Sequence, residues 1–237
     1  KEDLLLYLII LTFSYVGNYL VNVILAKKRI SLSFHRLSFK RHRKPLLFIL
    51  SSTFATTIYT SLDSVVLGLL SDNYQVGLYS AGVKLAKVSI PIVTGLSAVI
   101  IPGIAQAIKE KNLAFEAQMV AKSFSFIVFL GIPMATGLYV FRESFIEVLL
   151  GSEYLAAKPS MAYLSFLPLF IGLGYLFGLQ ILVPNNLNKS LFVATSLGVV
   201  AFIIANIILT PRLGATGAAI AILLTELIVT SGYIYFT

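Results

Sequence analysis

Three ionisable residues sit where a lipid-crossing chain tolerates them least. Asp63 falls inside LLFILSSTFATTIYTSLDSVVLGLL (46–70), and Lys84 and Lys87 fall inside VGLYSAGVKLAKVSIPIVTGL (76–96). A charge near the bilayer centre costs about 2.5 to 3.5 kcal/mol on insertion scales, so it pairs, faces a watery cavity, or works on a substrate or ion. Glu226 is a further acid, at the middle of ATGAAIAILLTELIVTSGY (215–233). It reads either as an ion or proton site or as a structural hydrogen bond to a neighbouring helix.

Spacing decides which of these groups can meet. Ser52, Thr56, Tyr59 and Asp63 recur at helical intervals and draw a polar stripe that runs down to the carboxylate. Ser80, Lys84, Lys87, Pro91 and Thr94 draw a cationic stripe in the same way. Only SDNYQ (71–75) joins the two segments, which predicts an antiparallel hairpin with facing stripes. Counted from that turn, Asp63 and Lys84 lie roughly 12 to 14 Å deep at 1.5 Å per residue, so an ion pair between them is within reach. Lys87, one turn deeper, meets no acid from this hairpin, which favours a cavity of positive character.

The elements that carry these groups follow from composition. The chain is 58% hydrophobic and 12% charged, where a soluble domain averages about 25% charged residues. Seven apolar segments of spanning length are expected, at 4–26, 46–70, 76–106, 120–141, 160–183, 190–210 and 215–236. The runs are continuously apolar rather than alternating, so the fold class is an all-α polytopic bundle and not a barrel. Pro91 and Pro102 are expected to kink the third span. Gly174 and Gly178 are expected to let helices approach closely, and Asn206 to hold helices together. The segment 141–160 reads as an amphipathic stretch lying at the interface.

Charge sets the orientation. KKRISLSFHRLSFKRHRK (27–44) holds eight Lys or Arg residues and no acid, which places it on the cytoplasmic side. The same run has a second reading as a site for anionic lipid head groups. Nucleic acid is not an expected partner. With no cysteine, with His35 and His42 lacking acidic or thiol partners, and with no phosphate-binding, metal-protease or nucleophile-elbow motif, neither a cofactor, a metal nor enzymatic chemistry is expected. The start at Lys1, which enters a span without an initiator Met, suggests that the chain begins inside a larger protein.

The run TTIYTSLDSVVLGLLSDNYQVGLYSAGVKLAKV (56–88), then VIIPGIAQAI (99–108), FIEVLLGSEYLAAKP (145–159) and ANIILTPRLGATGAAIAILLTELI (205–228), resembles the C-terminal half of Wzx-type polysaccharide flippases. These belong to the multidrug, oligosaccharidyl-lipid and polysaccharide exporter superfamily. The resemblance implies a MATE-like C-terminal lobe over 45–237, a basic cytoplasmic linker over 27–44, and the last helix of an N-terminal lobe over 1–26. It also implies a multi-pass protein of a bacterial or archaeal cytoplasmic membrane that moves an undecaprenyl-diphosphate-linked oligosaccharide by alternating access.

On that footing Lys84, Lys87, Tyr59 and Tyr79 would contact substrate, while Asp63 and Glu226 would couple transport to H+ or Na+. The implied partners are the lipid-linked oligosaccharide, membrane lipids and the polysaccharide polymerase machinery. A MATE-like cation antiporter is the alternative. The cationic stripe speaks against it, because a cation cavity would be dominated by acids.

Overall fold

The computed structural model describes residues 2–27 and 39–237. The middle of the basic run, residues 28–38, therefore lies outside the described residues. The chain divides into two units, Lys1–His42 and Arg43–Thr237. In the first, α1 (Glu2–Lys27) is a single helix whose window Ile9–Lys27 is apolar enough to span a bilayer.

In the second unit, every regular element among the described residues is helical. Six described helices of the chain are long and apolar enough to cross a membrane, and one bent pair makes a seventh. That pair is α2 (Phe39–Ser61) followed by α3 (Asp63–Leu70), whose axes differ by 42°. The sequence reading treats 46–70 as one straight span; the structure starts its helix earlier, at Phe39, and breaks it at Leu62.

Asp72 caps α4 (Asn73–Thr94), its carboxylate accepting the Gln75 amide at 2.8 Å. Pro91 sits within α4, and the chain breaks at Gly95 and Leu96 before α5 (Ser97–Lys109). A side chain at Gly95 would lie 2.9 Å from the Pro91 carbonyl, so the expected kink takes the form of an interruption at a glycine. Asn112 caps the long α6 (Leu113–Val140). The expected amphipathic stretch becomes α7 (Arg142–Leu150) and a 3-10 turn (Ser152–Ala157), with Ile146 and Ala157 buried and Val148 and Leu149 exposed.

Two short helices, α8 (Lys158–Leu164) and α9 (Leu167–Gly174), lead into a π-helical stretch at Tyr175–Leu182. The last pair is α10 (Asn188–Leu213) and α11 (Ala215–Phe236), joined by Gly214 alone. Gly214 has φ +54°, a conformation that favours glycine. The Gln75 side chain accepts the Ala215 amide at 2.9 Å, tying the α3–α4 turn to this one.

Helices in lipid gain little from apolar burial against each other, so close approach and interhelical bonds carry the association. The core accordingly mixes bulk with small residues. Leu78, Val83 and Ala86 of α4 join a cluster with Met161 and Leu164 of α8 and with Ala218 and Ile222 of α11. Gly198 of α10 leaves no room for a side chain beside Val229 of α11, and a methyl at Gly232 would lie 2.8 Å from Ala194.

Candidate functional site

The outward face of α4 carries the cationic stripe as its spacing predicts. Leu78, Tyr79, Gly82, Val83, Ala86 and Val93 turn inward, while Lys84, Lys87 and Pro91 remain exposed. From this point the two lysines separate. Lys87 lines a cavity of ≈ 460 Å³, and Lys84 does not.

One wall of that cavity is α2, which presents Ser52, Thr53, Thr56, Thr57 and Thr60. Ser52, Thr57 and Thr60 donate their hydroxyls to carbonyls one turn back, at 2.8, 2.9 and 2.9 Å. Their protons are thereby spent on the helix, and the oxygen lone pairs are left to accept. The facing walls come from Tyr175, Gly178 and Leu179 of the π-helical stretch, Thr195 of α10, and Glu226 and Tyr233 of α11. Glu226 is 6% exposed and has no hydrogen-bond or ion-pair partner among the described residues. Among the described residues the cavity thus holds one ammonium, one carboxyl group and an acceptor-rich wall flanked by aromatic rings.

Asp63 stands apart from this cavity and from Lys84. The expected ion pair is replaced: Tyr79 donates its hydroxyl to Asp63 Oδ2 at 2.9 Å, and the Ser64 amide donates to Oδ1 at 2.7 Å. The reason is the break at Leu62. A straight helix would carry the stripe from Ser52 through Thr56 to Asp63 on one face, whereas the 42° bend starts a new helix whose first residue is Asp63. Tyr79 is buried against the carboxylate rather than facing the cavity. The Tyr59 side chain lies outside the described residues. Lys87 reaches the same break from the cavity side, its Nζ donating to the Thr60 carbonyl at 3.3 Å.

Several features escaped the sequence reading. Thr53, Thr57 and Thr60 form a second hydroxyl row that widens the expected stripe. The π-helical stretch has no local sequence signal, yet such stretches gather at functional sites. Gly174 and Gly178 do pack closely, against Thr230 and the Tyr233 ring, and both also line the cavity. On the other flank of α2, Leu50, Phe54 and Ile58 with Phe192, Val199 and Val200 of α10 wall an apolar groove of ≈ 680 Å³. Among the described residues no group of His, Cys, Asp and Glu has the makings of a metal site.

A family model described as polysaccharide biosynthesis protein matches residues 8–159. A probable low-salt glycan biosynthesis flippase of Haloferax volcanii is 23% identical over 216 residues, which is 89% of this chain and 45% of that protein. A capsular polysaccharide biosynthesis protein of Staphylococcus aureus is 25% identical over 181 residues, 76% of this chain and 45% of that one. A putative O-antigen transporter of Escherichia coli K12 is 24% identical over 211 residues, covering 88% and 49%. The chain spans about half the length of the curated relatives it matches. No solved structure matches it.

Proposed function

The chain belongs to the polysaccharide biosynthesis protein family, and from that premise we propose that it forms part of a flippase moving a polyprenyl-diphosphate-linked oligosaccharide across the cytoplasmic membrane. The observation that carries the reading is the cavity in which Lys87 faces a wall of hydroxyl oxygens. A diphosphate presents anionic oxygens to an ammonium, and sugar hydroxyls present donors to the acceptors that Ser52, Thr57 and Thr60 leave open. The names of the relatives, among them a glycan flippase and O-antigen transporters, support the same substrate class. Those names give no support to export of cationic drugs. They also fit transport better than enzymatic chemistry.

Within this reading Lys87 contacts the anionic head, and Glu226, buried and unpartnered at the cavity, takes up H+ or Na+ during the cycle. Asp63 and Tyr79 serve the shape of the cavity by bracing the start of α3. Movement between two access states follows from differential binding of substrate and ion to each.

The test is complementation of a flippase-null strain by the full-length protein. Lys87→Ala is expected to abolish glycan export with membrane insertion intact, and Lys84→Ala to retain it. Export at the wild-type level by Lys87→Ala sinks the assignment.

A further inference from the structure

Lys87 stands between the cavity and the break in α2. Its side chain belongs to the cavity wall, and its Nζ also caps the Thr60 carbonyl at the end of α2. In an unbroken helix that carbonyl would accept the Ser64 amide four residues on. Here the Ser64 amide donates to Asp63 Oδ1 at 2.7 Å, while Tyr79 holds the other carboxylate oxygen. The backbone bond that would carry α2 into α3 has been exchanged for two side-chain bonds, one from an ammonium and one to a carboxylate. The 42° bend lies at this exchange.

Resting on the reading of Lys87 as the anion contact, the geometry points to a latch: the anionic group of the ligand draws the Lys87 ammonium off the Thr60 carbonyl and into the cavity, so that binding uncaps α2 and lets it swing. Without ligand the cap is favourable, because a cation at a helix C-terminus meets the negative end of the helix dipole. An anionic oxygen draws the ammonium from the carbonyl, since it offers a full negative charge where the carbonyl offers only a partial one. The ligand thus binds the uncapped state more tightly than the capped one, which is the condition for shifting the population.

The two sides of the break are anchored unequally, and this decides which side moves. The short α3 buries Asp63 and Leu67, with Asp63 bonded to Tyr79 of α4, whereas the much longer α2 buries only Ser52 and Ala55 among its described residues and exposes Leu46, Leu47, Leu50 and Phe54. The latch answers to a diphosphate or similar anion. A neutral lipid or a neutral sugar leaves it shut.

Spin labels on the full-length protein test this. The chain has no cysteine, so Leu47→Cys on α2 and Leu197→Cys on α10, both at exposed positions, take labels selectively once any cysteine outside this segment is replaced. From Leu47 to the break is a lever of roughly 20 Å at 1.5 Å per residue, so release of the bend moves the label by on the order of 10 Å. In nanodiscs, farnesyl diphosphate is expected to shift the interlabel distance and farnesol to leave it in place.

Lys87→Gln is expected to show the shifted distance without ligand and to lose binding of the diphosphate. Lys87→Arg is expected to keep both responses. Diphosphate that binds in a Lys87-dependent way without moving the wild-type labels overturns the latch alone. Absent binding, or binding undiminished in Lys87→Gln, overturns the anion reading of Lys87 together with it.

Discussion

The α10–α11 hairpin and α2 are both built for lipid, yet they are held in opposite ways. In the hairpin, Gly198 faces Val229, Gly232 faces Ala194 and Gly217 faces the Leu209 backbone, with a one-residue turn closing the pair. Backbones that approach this closely gain dispersion contacts along their whole length. In α2, Ser52 and Ala55 are buried while Leu46, Leu47, Leu50 and Phe54 point outward. Among the described residues its aromatic contact to α10 is tilted, Phe48 against Phe192 with centroids 6.1 Å apart. The difference teaches that close backbone packing is concentrated behind the cavity, on the wall carrying Glu226 and Thr195, and that the wall of hydroxyls is the more loosely packed one within this chain.

That contrast can be broken by filling one glycine. Gly198→Leu forces a branched side chain into Val229 and is expected to cost about 3 kcal/mol, at the upper part of the overpacking range. Phe54→Ala on α2 is expected to change stability by less than about 0.5 kcal/mol, as exposed positions generally do. Thermal melting of the full-length protein in detergent compares the two; equal losses would remove the distinction between a closely packed and a loosely packed wall.

The junction itself sharpens the comparison. Tyr79→Phe removes the hydroxyl that Asp63 accepts at 2.9 Å and leaves a buried carboxylate short of a donor, at an expected cost of about 2 kcal/mol. The same melting measurement checks it, and an unchanged midpoint would mean that α3 is anchored by packing alone.

The smallest effect is expected outside the spans. The Lys158 ammonium hydrogen-bonded to Glu143 holds that carboxyl below its usual range. A depressed carboxyl adds stability above its unfolded-state pKa and loses it as pH falls through the folded-state value. Acidification below the ordinary carboxylate range should therefore erase the difference in melting between wild type and Glu143→Gln. Because the pair is exposed, that difference is small at neutral pH.

Most spans were legible before the structure, because length and continuous apolarity suffice to mark a lipid-crossing helix. The α3–α4 turn was legible from SDNYQ, and the close packing of Gly174 and Gly178 from their spacing. The break at Leu62 was not. Nothing in TSLDS is a proline or glycine, and at the break the Asp63 carboxylate accepts the amide of the next residue, an interaction invisible to periodicity. Everything inferred by counting along a straight helix through that point was displaced, so Asp63 meets Tyr79 instead of Lys84. Lys87 survived the displacement because it lies on α4, which carries its stripe unbroken past that position. Thr53, Thr57 and Thr60 were passed over since a polar residue one step off an expected stripe carries no mark of facing a cavity.

The single-residue link at Gly214 also bears on the order of synthesis. A chain emerges from its N-terminal side, so α4 and α8 are in place before α10 and α11 are made. Until then the surface of α4 that will meet Ala218 and Ile222 has only lipid or earlier helices against it. With one glycine between them, α10 and α11 are held next to each other as soon as both are made, and the contacts between them are among the most local in the chain. Once paired, the hairpin can dock as a preassembled wedge, with Gln75 waiting at the Ala215 amide to register its arrival.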